Sequence, residues 1–274
     1  MFVPNIIPLR NIHSINNKKR RKMSKLKDKI AVVTGGTSGI GFATAKAFIA
    51  QGAKVVITGR KQSTIDLAVR ELGSNAVGIR ADASSVKDTE KLATEVRSLF
   101  GKVDILLVNA GGVEVFEPIG QITEETFDTI SGVNFKGAVF TTEKFVPLLV
   151  DGASVIHLAS VSAFSFNAGN AIYSASKAAL VAYSKNAALE LAGRKIRVNV
   201  VEPALTETPG IHKGAFADDE IHTHIKTLMP FKRYGTAEEV AGLITFLASD
   251  EASFISGSEI TIDSGASINV PMRL

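Results

Sequence analysis

One short stretch constrains the fold of this chain more than any other. An apolar, β-branched run at residues 30–34 (Ile-Ala-Val-Val-Thr) passes into Gly35-Gly36-Thr37-Ser38-Gly39-Ile40-Gly41 and then into the helical pattern of residues 42–50. A strand with no polar alternation is buried on both faces, as in a parallel sheet covered by helices. Glycines let the backbone approach an anion closely, and the free N–H groups and dipole of a helix N-terminus attract it. Gly35, Thr37, Ser38, Gly39, Ile40 and Gly41 are therefore expected to cradle a diphosphate. A glycine-rich turn alone would be a plain tight turn; the strand before it and the helix after it make the pattern informative.

The alternation continues along the chain. Further strands are expected at 54–58, 75–80, 103–108, 153–159, 196–202 and 258–263, with helices at 62–72, 86–99, about 123–149, 171–192 and 236–249. Seven strands and six major helices in alternation predict an α/β fold, one doubly wound, seven-stranded parallel sheet with helices on both faces. Residues 24–274 are read as a single domain without repeat or linker. The segment 210–234 lacks strong periodicity at its start and is read as a mobile lid over a substrate pocket.

Charge and composition narrow the function classes. The formal net charge is +4, but Arg10, Lys18, Lys19, Arg20, Arg21 and Lys22 lie in an acid-free leader, and the remainder holds 25 basic and 27 acidic residues. The globular part is thus no nucleic-acid binder by charge. Residues 1–23 are expected to be a disordered basic extension before a start-like Met23-Ser24-Lys25, and Pro4 and Pro8 fit a secretory signal poorly. There is no cysteine, which excludes disulfides and thiolate metal sites and suggests a reducing, cytoplasmic setting. No apolar run approaches the ~18 residues of a membrane span. His212, His222 and His224 lack ligand spacing, so no metal is expected.

Candidate site residues cluster at strand ends, the edge where open α/β sheets bind ligands. Strand 54–58 ends at Gly59-Arg60, with Gly59 where a ribose-binding acid would stand and Arg60 suited to a 2′-phosphate, which favours NADP(H) over NAD(H). Asp82, followed by Ala83, could accept from an adenine amine or cap the next helix. Asn109-Ala110-Gly111 forms a second small-residue turn, and Asn134 sits inside a helical stretch where it either faces solvent or bonds something. Strand 153–159 contains His157, read as a core or interface side chain, and delivers Ser160. On the next helix Tyr173 and Lys177 are four apart and share a face. Lowering a phenol from about 10 to about 7 needs roughly 4 kcal/mol, and one ammonium about 5 Å away at an effective dielectric of about 20 supplies roughly 3 kcal/mol. By itself Tyr-x-x-x-Lys is an ordinary coincidence of helix surfaces.

The ordered set Thr34-Gly35-x-x-x-Gly39-x-Gly41, Asp82, Asn109-Ala110-Gly111, Asn134, Ser160, Tyr173-x-x-x-Lys177, Pro203 and Thr208 is not coincidence. Over residues 24 to about 270 the chain resembles the short-chain dehydrogenase/reductase family, a Rossmann-type fold. The resemblance implies an NAD(P)(H)-dependent oxidoreductase that interconverts a ketone and a secondary alcohol, a 3-oxoacyl thioester or another small carbonyl. It implies Tyr173 as general acid/base, Lys177 lowering its pKa and bonding the nicotinamide ribose, Ser160 holding the substrate oxygen, and Asn134 supporting a proton-relay water. It also implies cofactor contacts from Asn109, Ala110, Gly111, Pro203, Thr206 and Thr208, and a homotetramer or dimer with no nucleic-acid or membrane partner. Ala204 and Ser264 depart from the family's usual glycines. The alternative class is a non-catalytic dinucleotide sensor, which would usually have lost Tyr173 or Lys177. Val113, Phe116, Phe164 and Phe166 suggest an apolar substrate pocket.

Overall fold

The computed structural model describes residues 24–112, 116–212 and 218–269. The expected basic extension, Val113 and part of the lid lie outside the described residues.

The apolar runs form strands where expected. The first part of the chain alternates β1 (Ile30–Val33), α1 (Gly39–Ala50), β2 (Lys54–Gly59), α2 (Gln62–Leu72), β3 (Ala76–Arg80), α3 (Val86–Phe100) and β4 (Val103–Val108). After α4 (Glu124–Ser131) come a single π-helical turn (Gly132–Lys136) and α5 (Gly137–Phe145), then β5 (Leu149–Leu158), α6 (Ala171–Glu190) and β6 (Arg197–Pro203). The chain closes with β7 (Thr206–Glu207), α7 (Asp219–Leu228), β8 (Gly235–Thr236), α8 (Ala237–Ala248) and β9 (Glu259–Ile262). The seven-stranded sheet has the order β3-β2-β1-β4-β5-β6-β9, and every pairing in it is parallel.

The period-two rule holds even in these uniformly apolar strands. Val32, Val56, Leu106 and Val155 face one core with Leu92, Val96, Phe145 and Leu180 of α3, α5 and α6. Val33, Val55, Ile57, Leu107 and Ile156 face the other with Phe48, Leu72, Ile244 and Leu247 of α1, α2 and α8. Both faces are covered, so no strand needs a polar face. The strand order reverses between β1 and β4, which opens a crevice above their carboxyl ends.

Three expectations need correction. The stretch 123–149 is not one helix: the π turn interrupts it, and a short 3-10 turn carrying Pro147 ends it, because proline lacks the N–H that continues the ladder. β5 begins at Leu149, earlier than the expected 153, and the pairing of β4 with β5 slips in register between Val103 and Ile105. The segment read as an aperiodic lid contains α7, capped by Asp218, whose side chain accepts from the Glu220 N–H. This helix packs on a small separate core of Ile211, Met229 and Tyr234 rather than on the sheet, and it is amphipathic along Asp219–Leu228 although the segment's start is not periodic.

Candidate active site

The crevice between β1 and β4 is a cavity of about 660 Å³, within the range of cofactor sites. Its floor is tied together by two polar residues. Thr34 Oγ1 accepts from the N–H groups of Asn109 (3.0 Å) and Ala110 (3.1 Å), and Asn109 Nδ2 donates to the carbonyls of Thr34 (2.9 Å) and Gly35 (3.1 Å). Gly35 and Gly39 have φ of 65° and 54°, which side-chain-bearing residues rarely adopt. A Cβ on Gly41 would lie 2.4 Å from the Gly35 carbonyl oxygen and 2.6 Å from Asn109 Nδ2. Helix α1 starts at Gly39 with no side-chain cap and no acid in its first turn. The space glycine leaves and the uncapped N–H groups both fit a diphosphate, so a dinucleotide fits this set of residues.

Gly35, Thr37, Ser38, Gly39, Ile40 and Gly41 all line the cavity, as do Arg60, Asp82, Ala83, Asn109, Ala110, Gly111 and Thr208. Asp82 does not cap α3. Ser85 does, accepting from the Asp88 N–H, while Asp82 Oδ1 holds the Ser84 N–H (2.9 Å) and hydroxyl (2.7 Å). Asp82 therefore shapes the turn that lines the cavity. A Cβ on Gly59 would sit 2.8 Å from Thr37 Cγ2, so Thr37 excludes an acid there unless it moves. Thr208 stands across from Gly39, whose added Cβ would meet Thr208 Cγ2 at 3.1 Å. Pro203 and Thr206 are not on the cavity wall: Pro203 is the buried end of β6, and Thr206 Oγ1 donates to the Ala204 carbonyl. Ser264, in place of a usual glycine, keeps a glycine-like φ of 55°.

Asn134, Ser160, Tyr173 and Lys177 are not on the cavity wall; Asn134 and Lys177 lie behind it, against Gly111, Gly112 and Leu158. A Cβ on Gly111, after β4, would meet Asn134 Oδ1 at 2.5 Å and Lys177 Nζ at 3.3 Å. Asn134 is buried in the π turn, the kind of helix irregularity frequent at functional sites. It neither faces solvent nor caps: Oδ1 accepts from Gly112 N–H (3.0 Å) and Nδ2 donates to the carbonyls of Gly112 and Ile130 (2.9 Å each). Lys177 is buried, and its ammonium donates to the Leu158 carbonyl at 2.8 Å. Leu158 itself lines the cavity.

The electrostatics differ from the simple pairing expected of Tyr173 and Lys177. Lys177 Nζ lies 5.6 Å from the centre of the Tyr173 ring. Burial nevertheless raises the Tyr173 pKa above the usual value, opposed in part by a hydrogen bond with the Ser160 hydroxyl. Burial also lowers the Lys177 amine to about 8. Desolvation therefore outweighs the Ser160 hydrogen bond, and Tyr173 is neutral at physiological pH.

Sequence reasoning missed Thr58, Ser84, Asp128, Thr129, Ile130, Val133 and Leu158, all on the cavity wall. Thr58 and Ser84 carried a weak signal as polar residues at or just after strand ends. The α4 residues carried none, because only the fold swings that helix over the crevice. Phe164 and Phe166 are 45% and 73% exposed, so they do not form a closed pocket. The hollow beside Tyr173, near Gly169 and Asn170, measures about 10 Å³, the size of one water. His212 pairs with Glu207 and His222 Nδ1 meets the Tyr234 hydroxyl at 2.9 Å, so two of the three histidines serve the lid's own packing. Among the described residues no group of three histidine or carboxylate side chains could hold a metal.

Residues 35–267 match the sequence family described as enoyl-(acyl carrier protein) reductase. The chain is 37% identical over 254 residues to dehydrogenase/reductase SDR family member 4 of Oryctolagus cuniculus, covering 91% of this chain and 96% of that protein. An uncharacterized oxidoreductase of Methylorubrum extorquens is 38% identical over 247 residues, covering 89% and 99%. A crystal structure of 3-ketoacyl-(acyl-carrier-protein) reductase from Brucella melitensis complexed with NADH superposes with TM-score 0.81 at 32% identity, covering 88% and 99%. The crystal structure of levodione reductase gives TM-score 0.84 at 28% identity, covering 89% and 100%.

Proposed function

The chain belongs to the short-chain dehydrogenase/reductase family, and from that premise we propose that it is an oxidoreductase that interconverts a ketone and a secondary alcohol, with Tyr173 as general acid/base and NADP(H) preferred to NAD(H). The observation that carries the reading is the grouping of Tyr173 with Ser160 and Lys177, the last bonded to Leu158 on the wall of a dinucleotide-sized cavity. Gly35 to Gly41 would hold the diphosphate and Lys177 the nicotinamide ribose. A nicotinamide held there would supply the hydride for the carbonyl carbon or take it from the alcohol.

The remaining chemistry falls to this chain's own side chains. In reduction, neutral Tyr173 gives its proton to the carbonyl oxygen, while the Ser160 hydroxyl holds that oxygen and stabilises the charge developing on it. In the reverse direction the Tyr173 phenolate must form first, which Ser160 and the Lys177 ammonium favour. A phenol raised by burial makes the two directions respond oppositely to pH: alcohol oxidation rises as the solution becomes alkaline, and carbonyl reduction falls. Asn134 keeps the Gly111-Gly112 turn in place beside Lys177.

The cofactor preference is supported by Arg60 at the cavity and by Gly59, where a ribose-binding acid is missing and a side chain would press on Thr37. The NADH seen in one solved relative marks NAD(H) as the competing outcome. A 3-oxoacyl thioester or another small carbonyl is the proposed substrate class, in keeping with a solved relative named 3-ketoacyl-(acyl-carrier-protein) reductase. The absence of cysteine favours a cytoplasmic setting.

A carbonyl panel run with NADPH and NADH tests the whole reading. Activity on at least one carbonyl, tighter binding of NADPH, and loss of nearly all turnover in Tyr173→Phe are expected. Full activity in Tyr173→Phe would overturn the mechanism, and tighter NADH binding would overturn the reading of Arg60.

A further inference from the structure

His157 is fully buried in β5 between α5 and α6, and the reaction as described makes no use of it. Its Nδ1 lies 2.7 Å from Ser184 Oγ on α6, and its Nε2 lies 2.9 Å from Thr142 Oγ1 on α5. Both hydroxyls also reach back along their own helices, Ser184 to the Leu180 carbonyl (2.6 Å) and Thr142 to the Ala138 carbonyl (3.0 Å). Each hydroxyl has one proton and a neutral imidazole one N–H. If both hydroxyls bonded their carbonyls, the ring would have to donate from both nitrogens, as an imidazolium. Burial and the nearby Lys177 charge instead hold His157 far down, at about 3. The ring is therefore neutral: one hydroxyl turns to donate to it while the other accepts from it. The other titratable side chain against the ring is Tyr183, 5.9 Å away between centres and hydrogen-bonded to Glu143.

The position of this bridge gives it its meaning. Ser184 stands seven residues beyond Lys177 and eleven beyond Tyr173, and these spacings place all three on one face of α6. Lys177 bonds the carbonyl of Leu158, the residue next to His157. The catalytic face of α6 is therefore fastened to β5 at two points two turns apart, and β5 runs straight on to Ser160. We propose that His157 is a positioning residue that fixes the register of α6 against β5, and thereby the placement of Tyr173 against Ser160; this rests on the general acid/base reading of Tyr173.

The test uses a carbonyl compound found active with NADPH, the full chain, and the variants His157→Leu, His157→Gln and Ser184→Ala. A misplacement of about 1 Å can cost an active site on the order of 10²-fold in rate, so a shift of about half that size is expected to cost about tenfold. His157→Leu is expected to lower kcat by about that factor with KM little changed. It should also move the alkaline limb of the reduction profile upward, because Tyr173 loses the Ser160 bond that favours its phenolate. His157→Gln, whose amide can donate to one hydroxyl and accept from the other, restores most of both. A merely structural histidine would lower the melting temperature without moving the pH limb. Folded His157→Leu with unchanged kcat and pH limb overturns the proposal. Should that variant fail to fold, Ser184→Ala, which keeps the ring, decides by the same two readouts. Full activity in Tyr173→Phe would instead bring down the underlying mechanism, so the two failures are distinguishable.

Discussion

Glu202 shows how much a single side chain can cost this fold. It is 1% exposed at the end of β6, and Oε1 has no hydrogen-bond partner among the described residues. Oε2 meets the Thr261 hydroxyl at 3.4 Å. Burial first and the nearby Glu259 second push its carboxyl up to about 7, against weaker pulls from Thr261 and Lys185. Between the usual glutamate value and about 7 the folded chain binds the proton that the unfolded chain has released. Its contribution to stability is therefore complete in acid and is lost as pH rises through 7. Glu202→Gln should raise stability at pH 8 by about 1–3 kcal/mol and leave it nearly unchanged at pH 4, read by denaturant unfolding at both values. Equal effects at the two pH values would sink the account. Lys177 is likewise buried with a depressed amine, a cost that an active site accepts for function and a core does not.

Helices α1 and α8 show why an element's own propensities do not decide a substitution. Each contains a glycine, Gly41 and Gly242, that alanine should improve by about 0.5–1 kcal/mol. Nothing lies within 4 Å of a Cβ at Gly242, but one at Gly41 would collide with the Gly35 carbonyl at 2.4 Å. Gly242→Ala is expected to raise the melting temperature slightly with NADPH binding unchanged. Gly41→Ala should lower it and weaken NADPH at least about tenfold by opening the cradle, a loss of about 1.4 kcal/mol. Matching NADPH affinities in the two variants would refute the cradle at 35–41. Most elements were legible because their apolar periods and glycine punctuation are local. The π turn at 132–136 was not, because it depends on Asn134 engaging Ile130 and Gly112; α7 has an amphipathic pattern of its own, which the aperiodic start of 210–234 masked.

At the scale of the molecule, exposed apolar side chains set the expectation of assembly. Leu189 on α6 is 77% exposed and Phe254, before the edge strand β9, is 103% exposed. Large apolar side chains left this exposed are suited to a contact between copies of the chain, which is expected to sediment as a dimer or tetramer. Phe254→Asp or Leu189→Asp should shift that equilibrium toward the monomer, while a wild-type chain that sediments as a monomer would refute the expectation. No helix among the described residues is long and apolar enough to cross a membrane. The sequence alone determined the alternation of strand and helix, because periodicity and glycine placement are written in neighbouring residues, and through its ordered motifs it named the turn at 35–41 and Asn134, Ser160, Tyr173 and Lys177 as candidates. Only the tertiary structure decided that Asn134 clamps Gly112 and that His157 bridges two helices. It also decided that burial outweighs the Ser160 hydrogen bond in setting the Tyr173 phenol. Those outcomes depend on which distant groups share a dry interior, and desolvation is a property of the packed fold rather than of any stretch of chain.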